Sequence, residues 1–189
     1  MKLKWGCLVS VLLVLGFVAG CAKPPIEEMN IAAEAVIRAE NDADAVLYAG
    51  ISLARARDAL NRMQAEADSK RYDAARTYAA EAIAAAEKAL ADGQAGAARA
   101  REEAASLISG LRPMVDETGE AIRSAQSAEL DLDYSDLEQD FDTVLRSMDQ
   151  AETALAGDEY QDALENAMSA RTGISDINQT LTGAVSGKK

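Results

Sequence analysis

Histidine is missing from this sequence altogether, and bulky or strand-forming features are thin: one tryptophan, two phenylalanines, three prolines and two cysteines in 189 residues. Without histidine the chain lacks the commonest general base near neutral pH and the commonest zinc ligand. So few aromatic rings exclude a bulky aromatic core. Alternating Val/Ile/Thr runs bounded by turn dipeptides are almost absent, so nothing asks for a sheet. Positive charge is also scarce. Nineteen Lys and Arg against 32 Asp and Glu leave a net charge of −13. That balance argues against nucleic acid and against adsorption to anionic lipid through a basic patch. The one long apolar run, from about Cys7 to Ala19, falls short of the roughly 20 residues of a membrane-spanning helix.

What is present is alanine, charge and helical period. Val46, Ala49, Leu53, Ala56, Leu60, Met63 and Ala67 recur at alternating spacings of three and four. So do Ala75, Ala79, Ala82, Ala86, Ala89, Gly93, Gly96 and Ala100. Leu137, Phe141, Val144, Met148, Ala151 and Leu155 form a third seam, and Tyr160, Ala163, Ala167, Ala170, Ile174, Ile177 and Leu181 a fourth. Such seams predict coiled-coil-like packing of helices.

The punctuation agrees with the seams. Pro24-Pro25 suits the start of a first helix, and Asn41-Asp42 could cap a second. Ser135 with Glu138, and Asp158 with Gln161, resemble capping boxes, and Gly157 marks a turn. Gly110 and Pro113 should bend or divide the long third helix. Helices are predicted near 26–41, 43–68, 73–128, 135–156 and 158–183. The expected fold is all-α: an elongated antiparallel bundle of about five helices with Ala-rich seams. The small-residue stripe from Ala75 to Ala100 should let backbones approach closely, facing Leu53, Leu60 and Met63. Leu107, Ile108, Leu111, Met114, Val115 and Ile122 then need cover, from the last two helices or from an oligomer partner.

The start of the chain carries an address. Lys2 and Lys4 precede the apolar run, and small residues end it, as in a secretory signal. Val18-Ala19-Gly20-Cys21 resembles a bacterial lipobox. The resemblance implies lipidation of Cys21, cleavage between Gly20 and Cys21, and stable anchoring through two or three acyl chains. Ala22 at the next position favours the outer membrane over retention at the inner one. Removal of residues 1–20, with Lys2 and Lys4, takes the net charge from −13 to −15. It also removes Cys7 and Trp5, leaving no free thiol. The expected organisation is a signal peptide over 1–20, a lipidated tether over 21–25, a hairpin domain over 26–128, an acidic hairpin over 129–183 and a tail over 184–189.

Two further resemblances concern the helices. Tyr72-x-x-Ala75-x-x-x-Ala79-x-x-Ala82 is repeated as Tyr160-x-x-Ala163-x-x-x-Ala167-x-x-Ala170. This is weakly similar to the second helix of a tetratricopeptide unit. Over residues 21–100, "CAKPP", "AENDADAVLYA", "LARARDALNRM" and "KRYDAARTYAAEAIAAAEKA" resemble the DUF4398 family of bacterial envelope lipoproteins. That resemblance implies a helical, envelope-anchored protein and supplies no catalytic residues.

Candidate chemistry is sparse. Asp131, Asp133 and Ser135 fit the first, third and fifth positions of a calcium loop, but Asp136 stands where glycine should and Asp142 where glutamate should. The preferred reading of the same residues is an acidic connection followed by a helix N-terminus, where acids are favoured. No cofactor and no metal are expected. Tyr72 and Tyr160 are expected to pack at hairpin tops, and Arg55, Arg57, Arg99 and Arg101 to lie on solvated faces. The terminal Lys189 resembles that of the major murein lipoprotein, a candidate for peptidoglycan attachment. The expected function is a non-catalytic, lipid-anchored envelope scaffold or adaptor. Its partners would be the membrane, through the N-terminal lipid, and another envelope protein or itself, with no nucleic acid. The alternative is a surface-exposed adhesin or ligand-binding lipoprotein.

Overall fold

The first helix opens where the proline pair places it. In the computed structural model, which describes residues 23–187, α1 runs Ile26–Glu40 with Pro25 at its N-cap. Five more helices follow: α2 (Ala43–Tyr48), α3 (Gly50–Asp68), α4 (Tyr72–Ser127), α5 (Tyr134–Ala156) and α6 (Tyr160–Gly187). The fold is all-α, and no strand occurs among the described residues. The segment read above as a signal, Gly20, Cys21 and Lys189 lie outside those residues. The chain divides into two compact units between Gly93 and Gln94, within α4.

In the first unit, α4 has one parallel and one antiparallel neighbour. Glu28 of α1 lies 3.5 Å from Arg76, and Ala45 of α2 lies against Gly93, both at the same sequence offset. On α3, Ser52 Oγ donates to Asp92 at 2.5 Å and the Arg62 guanidinium sits 5.9 Å from the Tyr78 ring centre. This is the expected antiparallel hairpin. The stripe predicted from Ala75 to Ala100 is buried at every position.

The helix expected over 43–68 is two helices. Asp42 caps α2 by accepting from the Ala45 N–H at 2.8 Å. The chain then breaks at Ala49 (φ −120°, ψ 31°). The break changes the helical phase, so Ala45 is buried while Val46, predicted in the seam, is 56% exposed. Only a small side chain fits where α2 approaches Gly93.

The second unit repeats the plan. Arg112 pairs with Glu152 at 2.9 Å and Gln126 Nε2 donates to Glu138 at 3.0 Å, so α5 runs antiparallel to α4. Thr118 lies 3.4 Å from Asn178 and Ala104 clusters with Ala163, at nearly the same sequence offset, so α6 runs parallel to α4. Ile108, Leu111, Val115 and Ile122 are covered by α5 and α6, as one of the two expectations held. Of the bend or division expected near Gly110 and Pro113, division does not occur, since α4 runs unbroken through Pro113. Pro113 lacks an N–H, which leaves the Ser109 carbonyl without its helical donor. Ser109, Gly110 and Pro113 are all exposed, so water can reach that carbonyl.

The three longer turns share one device. Lys70 (φ 59°), Glu129 (φ 50°) and Asp158 (φ 62°) are left-handed. Each is followed by a residue whose N–H bonds back across the helix end: Arg71 to Glu66, Leu130 to Ala125, Glu159 to Ala154. This is the Schellman arrangement, in which glycine is the usual left-handed residue. Gly157 takes φ −90° instead, so the turn there belongs to Asp158. Neither predicted capping box forms. Asp133 caps α5, accepting from Ser135 and Asp136, while Asp158 accepts from the Tyr160 hydroxyl at 2.6 Å. Left-handed backbone costs a non-glycine residue about 1 kcal/mol. Lys70→Gly and Glu129→Gly should therefore each raise stability by about 1 kcal/mol, or about 2–4 °C in a melt followed by circular dichroism. A fall in the midpoint would contradict the assignment.

Candidate functional site

The predicted site residues scatter. Cys21, Gly20 and Lys189 fall outside the described residues. Tyr72 and Tyr160 are half-buried, each two residues after a left-handed turn residue, and they begin α4 and α6 in separate units. Arg55, Arg57, Arg99 and Arg101 are exposed, as expected, and Arg57 pairs with Glu40. In the acidic stretch the Asp133 carboxylate is engaged as a helix cap. Among the described residues no group of three or more acids is placed to hold a metal ion.

Two polar clusters mark the first unit. Asp92 accepts from both Ser52 and Lys88, the latter at 2.8 Å, which ties α3 to α4. At the α3–α4 turn Arg71 donates two hydrogen bonds to Glu66. The Arg71 guanidinium holds the Glu66 carboxyl below its ordinary value, chiefly by hydrogen bonding. A lowered carboxyl favours folding above the unfolded-state value and loses that effect as pH falls through the folded one. Arg71 is solvent-facing and Glu66 is half-buried at the surface, so solvent screening keeps the contribution to stability small.

The concave feature with a composition suited to binding is in the second unit. A cleft of about 660 Å³ runs between the C-terminal turns of α4 and α6. Ala121, Ser124, Ala125 and Ala128 form one wall; Asn178, Leu181, Thr182 and Val185 form the other. Both sets are spaced i, i+3, i+4, i+7, one face of a helix each. Leu130 closes one end, and no lining residue is charged. The volume is within the roughly 300–1,000 Å³ of ligand-binding clefts. Tyr134 fixes the closing loop, with its hydroxyl 2.9 Å from the carbonyl oxygens of Ala125 and Leu130.

Residues 27–105 match the family described as domain of unknown function DUF4398. This accords with the resemblance read over 21–100. The DUF4398 match covers the described helices of the first unit and ends before the cleft, which starts at Ala121. No curated protein and no solved structure matches the chain.

Sequence reasoning passed over the cleft. Its signal was an absence: residues 177–187 carry no charge in a chain that is 27% charged. Depletion of charge marks the centre of a protein interface. Among the described residues no helix is long and apolar enough to cross a membrane.

Proposed function

We propose that the protein is a non-catalytic helical adaptor, anchored by lipid in the bacterial cell envelope and engaging another envelope component. The observation that carries the adaptor role is the uncharged cleft on a strongly acidic molecule. A surface built to stay solvated all round would place charge there. The address rests on the lipobox-like Val18-Ala19-Gly20-Cys21, followed by Pro24-Pro25 as a short spacer before α1.

Chemical crosslinking in intact cells, followed by purification of the protein, tests the adaptor role. One envelope protein should be recovered in every repeat. An empty or shifting set of products would remove the reading. Cys21→Ser tests the anchor separately: the variant should leave the membrane fraction, since one acyl chain alone gives only marginal binding and none gives less. Because an uncleaved variant would also keep the apolar segment 7–19, incorporation of a labelled fatty acid decides the point: an unlabelled wild-type protein would refute lipidation at Cys21.

A further inference from the structure

We infer that the α4–α6 cleft receives a cationic amphipathic helix from a partner protein. This deepens the adaptor reading and rests on it. The cleft supplies the apolar half of the match. Leu130, Leu181 and Val185 stand among alanines and hydroxyl side chains, and Val185 is 58% exposed although it is a large aliphatic. Two parallel helices with i, i+3, i+4, i+7 faces leave room for a third, whose apolar residues would sit between them.

Charge selects the occupant. Between Ser124 and Leu145 there is no lysine or arginine, while Glu129, Asp131, Asp133, Asp136, Glu138, Asp140 and Asp142 all fall in that interval. Glu129 and Asp131 flank Leu130, the residue that closes the cleft. Because α4 and α6 run parallel, both bring their C-terminal ends to that same side. Helix C-termini carry partial negative charge, which adds to the carboxylates. An uncharged groove with Glu129 and Asp131 on either side of its Leu130 fits a helix with one apolar face and Lys or Arg gathered at one end. A second copy of this acidic chain would bring like charge to the same place.

The test uses the chain from Cys21 onward as Cys21→Ser, which retains every described helix. The probe is a fluorescein-labelled Leu/Lys helical peptide of about 18 residues, or five turns, with lysines gathered at one end. Binding is followed by anisotropy, and a Leu/Glu peptide of the same pattern serves as control. The Leu/Lys peptide should bind one to one and the Leu/Glu peptide should not. Thr182→Trp fills the cleft at an exposed position without changing charge, and should weaken binding about tenfold. Asp131→Lys should weaken it about threefold, whereas Glu103→Lys, the same charge change away from the cleft, should leave it unaltered. Tryptophan at 182 is then the sole tryptophan of that chain, so its emission also reports occupancy.

Three outcomes would overturn the proposal. They are no binding, binding indifferent to Thr182→Trp (adsorption to the acidic surface), and a dimer of the free chain abolished by Thr182→Trp (a second copy in the cleft). Each is distinguishable from failure of the adaptor reading. If crosslinking in cells recovers a constant partner while the peptide ignores the cleft, the adaptor stands and this site falls.

Discussion

Gly93→Ala should destabilise the protein by about 2 kcal/mol, although alanine is the better helix former by about 1 kcal/mol. A Cβ at position 93 would stand 2.6 Å from the Ala45 nitrogen, 2.7 Å from the Asp44 carbonyl carbon and 2.8 Å from the Ala45 Cα. All three are backbone atoms, so no side chain can rotate away. Relief requires moving the first turn of α2, which holds the Asp42 cap and the fully buried Ala45. Gly110→Ala is the matched control. It lies on the same helix, and a Cβ there meets nothing within 4 Å. It should stabilise by about 0.5–1 kcal/mol. Denaturant titration of both variants gives opposite signs if the close approach is real. A stabilised Gly93→Ala would show that α2 does not rest on α4.

Leu111→Ala should cost about 3 kcal/mol, lowering the melting midpoint by about 6–12 °C. Leu111 is 1% exposed and is among the largest fully buried side chains of the described residues. It shares a cluster with Ile108, Val115, Ile174 and Ile177, whose branched side chains in helices have restricted rotamers and cannot collapse into the space left behind. Leu111→Met should cost less than about 1.5 kcal/mol, because volume is nearly conserved. Met114, three residues on and 39% exposed, should tolerate alanine at a cost of about 0.5 kcal/mol or less. Equal effects at 111 and 114 would mean that α5 and α6 do not cover this stretch.

Most of the helical layout was legible because period is a strong signal. The seams from Ala75 and from Tyr160 are buried or half-buried at every predicted position. What escaped was set by single backbone angles. The break at Ala49 involves no proline, and its neighbours Val46 and Leu53 keep perfect helical spacing across it. The phase of α2 is matched to the close approach of Ala45 to Gly93, 48 residues on, and no local pattern contains it. The left-handed residues are Lys, Glu and Asp, so turn rules that look for glycine pointed one position early, to Gly157. The Ser135/Glu138 box failed because Asp133 reached the free N–H groups first. The cleft was hidden for another reason: its mark is a lack of charge spread over two segments, Ala121–Ala128 and Asn178–Ser186, that only the fold brings side by side.

The two cores are made of different material. Twelve of the fifteen buried residues clustered in the first unit are alanine, against seven of the seventeen in the two clusters of the second, where Leu, Ile, Val and Met supply the other ten. Alanine brings helices close but removes little apolar surface from water. The heat-capacity increment of unfolding follows apolar exposure, at about 0.45 cal/K/mol per Å². Per residue, then, the first unit has the shallower dependence of stability on temperature. Its cohesion comes more from helix propensity and close backbone contact, which cooling does not weaken as it weakens hydrophobic burial. The second unit, which carries the cleft, is the one whose stability curve bends more sharply in the cold.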